Sequence, residues 1–147
     1  MKILKAFMFF YLSCFFGEAF AHDAAIGEAT RIGPGKAIEH FDAEQGFKLS
    51  QKAMKSLGVS FKPLTGKGPW SVPKSSIVQI KQSHAVYRRY DGWISMVLVK
   101  VISDGKDSVL IKSEDLEAED EIAVKGVPFL RMTDSDLNAG TVDSCAH

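Results

Sequence analysis

The sequence predicts a mainly β, single-domain fold: a small β-roll or barrel of about six strands with one short helix. Three observations carry that prediction. From Val72 to Met132, short β-branched and aromatic runs alternate with sharp turn signals. Asp91-Gly92 falls between the apolar runs Ala85 to Tyr90 and Trp93 to Ile102, and an Asp-Gly pair there supplies the positive φ angles of a type I′ hairpin. Ser50 can cap a helix over Gln51 to Leu57, with Leu49 and Met54 as a hydrophobic staple and Gly58 at the left-handed C′ position.

The opening residues stand apart from that fold. Lys2 and Lys5 precede the apolar run Ala6 to Phe16, and Ala19-Phe20-Ala21 has the small-x-small form of a cleavage site, so residues 1–21 read as a secretory signal peptide. The apolar run is shorter than the roughly 20 residues a bilayer span takes. Cys14 does not sit in a lipidation motif: Tyr11 stands where an aliphatic residue is needed, and Phe15-Phe16 prolong the apolar run. The mature chain then starts at His22. Residues 22–36, small, polar and punctuated by Gly and Pro, are expected to form a flexible lead-in to a β-rich domain over 37–132.

Composition narrows the function classes. The chain has 147 residues, 46% hydrophobic and 24% charged, with 18 basic against 18 acidic residues. That balance gives no electrostatic case for a nucleic-acid partner. Removing residues 1–21 takes away two Lys and one Glu, leaving 16 basic and 17 acidic residues and a formal charge of −1. Cys145 is then the single cysteine, so an intramolecular disulfide is excluded and the core must supply the stability.

After the helix, Val59 to Leu64 reads as the first strand. Thr65 to Ser71 is a Gly/Pro loop whose Trp70 either covers the core or meets a partner. Pro73 marks strand entry, and Ile77, Val78 and Ile80 start the sheet. Val97, Val99 and Val101 alternate with Met96, Leu98 and Ile102, so the longest strand is apolar on both faces and is expected at the centre of the core. Asp104-Gly105 closes the next hairpin, and Ser108 to Ile111 and Ile122 to Val124 are the last strands. Between them, six of the nine residues from Ser113 to Glu121 are acidic, a solvated face from which Leu116 alone points inward. Gly126 and Pro128 end the last strand, and residues 133–147 are expected to be a flexible polar tail.

Several of these elements, taken in order, resemble a known family. Val72-Pro73 with Ile77-Val78, Val86-Tyr87, Asp91-Gly92, the turn from Ser113 to Asp120, Ile122 to Gly126 and Phe129-Leu130 follow the pattern of the C-terminal region of periplasmic adaptor subunits of RND efflux pumps, the membrane fusion proteins. Phe47 to Leu64 resembles that family's entry element, most closely in its heavy-metal subgroup. The departures are equally definite. Only Thr65 to Ser71 separates Leu64 from Val72, where a full adaptor carries a lipoyl-like domain and a long helical hairpin, and Asp115 and Glu119 stand where the family usually has glycines. The resemblance therefore implies the membrane-proximal part alone: a non-enzymatic periplasmic accessory of an efflux system. Its protein partner would be a pump subunit or a full-length adaptor, and the partner alone would tie it to the membrane.

Few residues suggest chemistry. Trp70, Arg88, Arg89 and Trp93 are the candidate partner contacts, with Tyr90 completing a basic and aromatic patch before the hairpin turn. None of His22, His40, His84 and His147 belongs to a close zinc-binding pair, and no nucleophile elbow supports an enzyme. No cofactor is expected. The competing class is a periplasmic copper- or silver-binding protein, using the α-amino group and imidazole of His22 for copper(II), or Cys145 and His147 as soft ligands for copper(I) or silver. A third is a structural domain unrelated to efflux.

Overall fold

The computed structural model describes residues 31–142. Its elements are β1 (Ile38–Asp42), β2 (Gly46–Leu49), α1 (Gln51–Ser56), β3 (Ser60–Pro63), β4 (Trp70–Pro73), a 3-10 turn (Lys74–Ser76), β5 (Val78–Ile80), β6 (Ser83–Tyr90), β7 (Trp93–Asp104), β8 (Ser108–Lys112), β9 (Glu121–Lys125) and α2 (Val127–Val142). The fold is mainly β, as the sequence predicts. Nine strands join in one open antiparallel network ordered β1-β2-β7-β6-β9-β3, with β5 paired to β6 and the β4–β8 pair reached through β7. Closing a barrel requires the terminal strands to pair. Here β1 pairs only with β2 and β3 only with β9, so the expected roll or barrel is an open sheet.

The local signals act as their chemistry dictates. Asp91 and Gly92 have φ of 48° and 78°, the two left-handed residues of a type I′ turn, and they set Tyr90 opposite Trp93. The Ser50 hydroxyl accepts a hydrogen bond from the Ala53 N–H at 3.2 Å, and Gly58 follows α1 at φ 62°. Leu49 and Met54, the staple pair, pack in the same apolar cluster. Both helix ends are thus satisfied from sequence-local groups.

Strand alternation distributes the core over two faces. Val86, Val97, Val99 and Ile122 turn one way, under Trp70, Val72, Val109 and Ile111 of the β4–β8 arm and under Leu64 and Leu116 from the connecting segments. Ala85, Tyr87, Ile94 and Ala123 turn the other way, where Phe47 and Leu49 join them and Val127, Leu130 and Leu137 of α2 and Met54 of α1 close over them. Gly46 allows β2 to reach β7 at Phe47 and Ile94: its φ is 97°, and a Cβ there would strike the Ile94 carbonyl.

Three expectations change. β1, β2 and β4 are strands that the sequence reading does not contain; β4 starts at Trp70, inside the expected Gly/Pro loop, because Trp70 and Val72 alternate inward against Ile111 and Val109. β7 is central by pairing, with β2, β6 and β8 as neighbours, but buried on one face only beyond Ile94: Met96, Leu98 and Ile102 are exposed. The tail is helical to Val142 rather than loose. The last strand ends at Lys125, before Gly126 and Pro128, as expected, and Pro128 then sits in the first turn of α2, where a missing N–H leaves no intrahelical bond unmade. Val127, Leu130 and Leu137 then recur on the sheet-facing side at helical spacing.

Candidate functional site

The type I′ turn builds a row of surface side chains. Tyr90 and Trp93 are cross-strand partners, so their side chains share a face. Phe47 pairs with Ile94, which places the next residue, Lys48, on the Trp93 face, and His40 pairs with Lys48. The row His40–Lys48–Trp93–Tyr90 therefore crosses β1, β2, β7 and β6. Lys48 Nζ lies 4.8 Å from the Trp93 ring centroid and donates a hydrogen bond to the Asp91 carbonyl at 3.0 Å. The His40 ring is 6.4 Å from Trp93 at an interplanar angle of 50°. At the other end the Arg88 guanidinium stands 5.9 Å from the Tyr90 ring, which is 67% exposed.

Such a row holds its long side chains in place before any partner arrives. The Lys48 ammonium is fixed over an aromatic face and to a turn carbonyl, so less rotamer freedom is left to lose on association. Tyr, Trp and Arg are the residue types that dominate protein interfaces, because they combine a large apolar body with a polar tip. The arrangement can bind by stacking, apolar burial and hydrogen bonding.

Of the four candidate contacts, Trp93 alone belongs to this row. Trp70 is a core residue, 8% exposed, with its indole N–H donating to the Gly66 carbonyl at 3.1 Å. Its reading as a partner contact is therefore corrected. Arg89 is engaged internally: Nε and Nη2 donate to the two Glu121 carboxylate oxygens at 2.6 and 2.8 Å, and its guanidinium lies 4.4 Å from the Phe61 ring centroid. Arg88 turns to the acidic segment, where Nη1 donates to the Asp115 carbonyl at 3.0 Å and stands 3.8 Å from Asp120. His22, Cys145 and His147 lie outside the described residues. Among the described residues no group of three His, Cys, Asp or Glu could hold a metal ion.

The acidic segment is more than a solvated face. Asp120 is buried and accepts from the Glu117 N–H at 2.9 Å, while the Leu64 N–H donates to the Asp120 carbonyl and the Glu119 N–H to the Leu64 carbonyl. Glu119 has φ 77°, the left-handed conformation a glycine would adopt freely. Leu116 points inward as expected, at 4% exposure.

Among the described residues three ionisable groups are shifted, each with a visible cause. The Arg89 fork holds the Glu121 carboxyl below its ordinary value. Backbone N–H groups of Gln45 and Glu44 do the same for Asp42 in the β1–β2 turn. Burial pushes the Tyr87 phenol well above its ordinary value, and the neighbouring Asp134 carboxylate, which accepts its hydrogen bond at 3.0 Å, adds to that. This last pair joins β6 to α2. All three act on the fold and lie outside the surface row.

Fold and surface together define an open antiparallel β-sheet, roofed by a strand arm on one face and by helices on the other, with an aromatic and basic row at its hairpin end. No family model matches the chain, no curated protein matches it, and no solved structure matches it. No helix among the described residues is long and apolar enough to cross a membrane.

Proposed function

We propose that this protein is a non-enzymatic, exported docking module, an adaptor-like periplasmic accessory of an RND-type efflux assembly of the heavy-metal kind. The observation that carries the docking role is the internally braced surface row His40–Lys48–Trp93–Tyr90, exposed at His40 and Tyr90 and half-buried at Lys48 and Trp93. The ordered resemblance to the membrane-proximal part of the family's adaptors supplies the partner class. Glu119 supports it further, since it holds a left-handed turn where that family has glycine. In this role the module docks on a pump subunit or a full-length adaptor and reaches the membrane through that partner.

Cross-linking and co-purification from native membranes test the proposal. The tagged full chain is expected to recover a pump subunit or adaptor, and the double variant Tyr90→Ala, Trp93→Ala should reduce that recovery about tenfold, in line with the loss of two aromatic anchors. Recovery of no pump component overturns the efflux assignment. Recovery that is indifferent to the double variant overturns the docking surface.

A further inference from the structure

A second surface lies on the opposite face of the sheet, and its reading is independent of the efflux assignment. On β7, Leu98, Lys100 and Ile102 alternate toward solvent, and Leu98 and Ile102 are 60% and 49% exposed. These residues floor an open groove of about 850 Å³. Lys100 pairs directly with Lys112 of β8 across the same groove. Like charges directly opposite on neighbouring strands destabilise a sheet. Neither lysine side chain has an ion-pair or hydrogen-bond partner among the described residues. The fold thus keeps an unfavourable cation pair between two exposed apolar side chains.

We infer that this groove docks an extended peptide segment of a partner protein, one that seats an acidic side chain between Lys100 and Lys112 and apolar side chains on Leu98 and Ile102. Charge complementarity selects the acid, and the spacing selects the extended form. Alternate residues of a strand recur at about 7 Å, so a peptide lying along β7 can present apolar, acidic and apolar groups at the interval of Leu98, Lys100 and Ile102. Glu114 and Asp115 line the groove beyond Lys112. They would oppose an anionic bilayer meeting the whole surface, whereas a single carboxylate can sit between the lysines alone. The exposed apolar strip, extended by Met96, is too narrow for the roughly 800 Å² per partner of a stable dimer, so a second copy is not the occupant.

The test selects a random displayed peptide library against the full chain and measures synthetic versions of the enriched peptides by fluorescence anisotropy. Enriched sequences should carry Asp or Glu two positions from apolar residues. Their affinity should fall about tenfold for Lys112→Glu and again for Leu98→Ser with Ile102→Ser. Lys100→Glu keeps the test clear of misfolding: it replaces a like-charge pair with an opposite one, so its melting temperature should rise while peptide binding falls about tenfold. No enrichment, or peptides that bind all three variants as well as they bind the natural chain, overturns the inference. So does binding confined to anionic phospholipid vesicles, or a dimer that Leu98→Ser with Ile102→Ser dissociates.

Discussion

The two faces of the central sheet are roofed differently, and the difference decides which apolar residues are core and which are surface. On one face β8 is hydrogen-bonded to β7 itself, and with β4 it covers Val97 and Val99. On the other, α1 and α2 cover Phe47, Ala85, Tyr87 and Ile94 but leave Met96, Leu98 and Ile102 to solvent. β7 alternates apolar residues toward both faces, so the strand alone cannot distinguish them. Burial is assigned by what is placed over the strand.

Removing one anchor from each roof should give the largest effects. Ile111→Ala under the strand arm and Leu130→Ala under α2 both delete side chains with no exposed surface, and each should destabilise by ~2–5 kcal/mol in denaturant unfolding. Leu98→Ala, on the unroofed strip, should stay within ~0.5 kcal/mol. A large loss at Leu98 would mean that the strip is core, and the contrast between the faces would fail.

Next in size is Gly46→Ala, which forces a side chain into a left-handed conformation and against the Ile94 carbonyl. Backbone strain of that kind costs ~1–3 kcal/mol, and the loss should appear first where β1 and β2 join the sheet, as faster amide exchange there. Protection unchanged in β1 and β2 would show that β7 holds that hairpin in some other way.

Tyr87→Phe separates the helical roof from the strand arm more gently. It removes the hydrogen bond to Asp134 and should cost ~1 kcal/mol at neutral pH. The phenol's folded value is raised above its ordinary 10.0, so its contribution is complete below pH 10 and is lost as pH rises further. The Phe variant should therefore lack that part of the alkaline loss of stability.

The smallest effect concerns Glu121, whose carboxyl is depressed below its ordinary 4.5 by Arg89. Its contribution is present above that ordinary value and is lost as pH falls through the depressed one. Since the pair is partly exposed, Glu121→Gln should cost under ~1 kcal/mol at pH 7 and should flatten the acid limb of stability below pH 4.5. An unchanged acid limb would remove Arg89–Glu121 from the account of what holds β6 to β9.

Much of this architecture was legible where one local signal sufficed. Ser50, Gly58 and the Asp91-Gly92 pair each specify backbone geometry through their own chemistry, and the helix and hairpin they mark are present. Elements specified by distant partners were not legible. β4 is a strand because Ile111 and Val109 lie opposite Trp70 and Val72, and no pattern within Thr65 to Ser71 announces that. The α2 signal was available in Pro128 and in the spacing of Val127, Leu130 and Leu137, but the polar residues from Thr133 onward obscured it. At the surface, the sequence marks Trp93 as a candidate contact and sets Tyr90 beside it across the turn. His40 and Lys48 were missed because their place depends on the register of the β1–β2 hairpin against β7. Arg88 and Arg89 looked like contacts for the opposite reason: sequence shows a basic pair but not the Glu121, Asp115 and Asp120 groups that occupy it.

The docking role of the hairpin end is tested most directly by placing a photoreactive phenylalanine analogue at Tyr90 in cells that make the native assembly. A control carries the same analogue at Lys106, in the turn after β7. Irradiation should yield one discrete cross-linked protein from position 90 and none from position 106. Equal cross-linking from both positions, or none from position 90, would contradict the assignment of the His40–Lys48–Trp93–Tyr90 row as the surface through which this protein binds its partner.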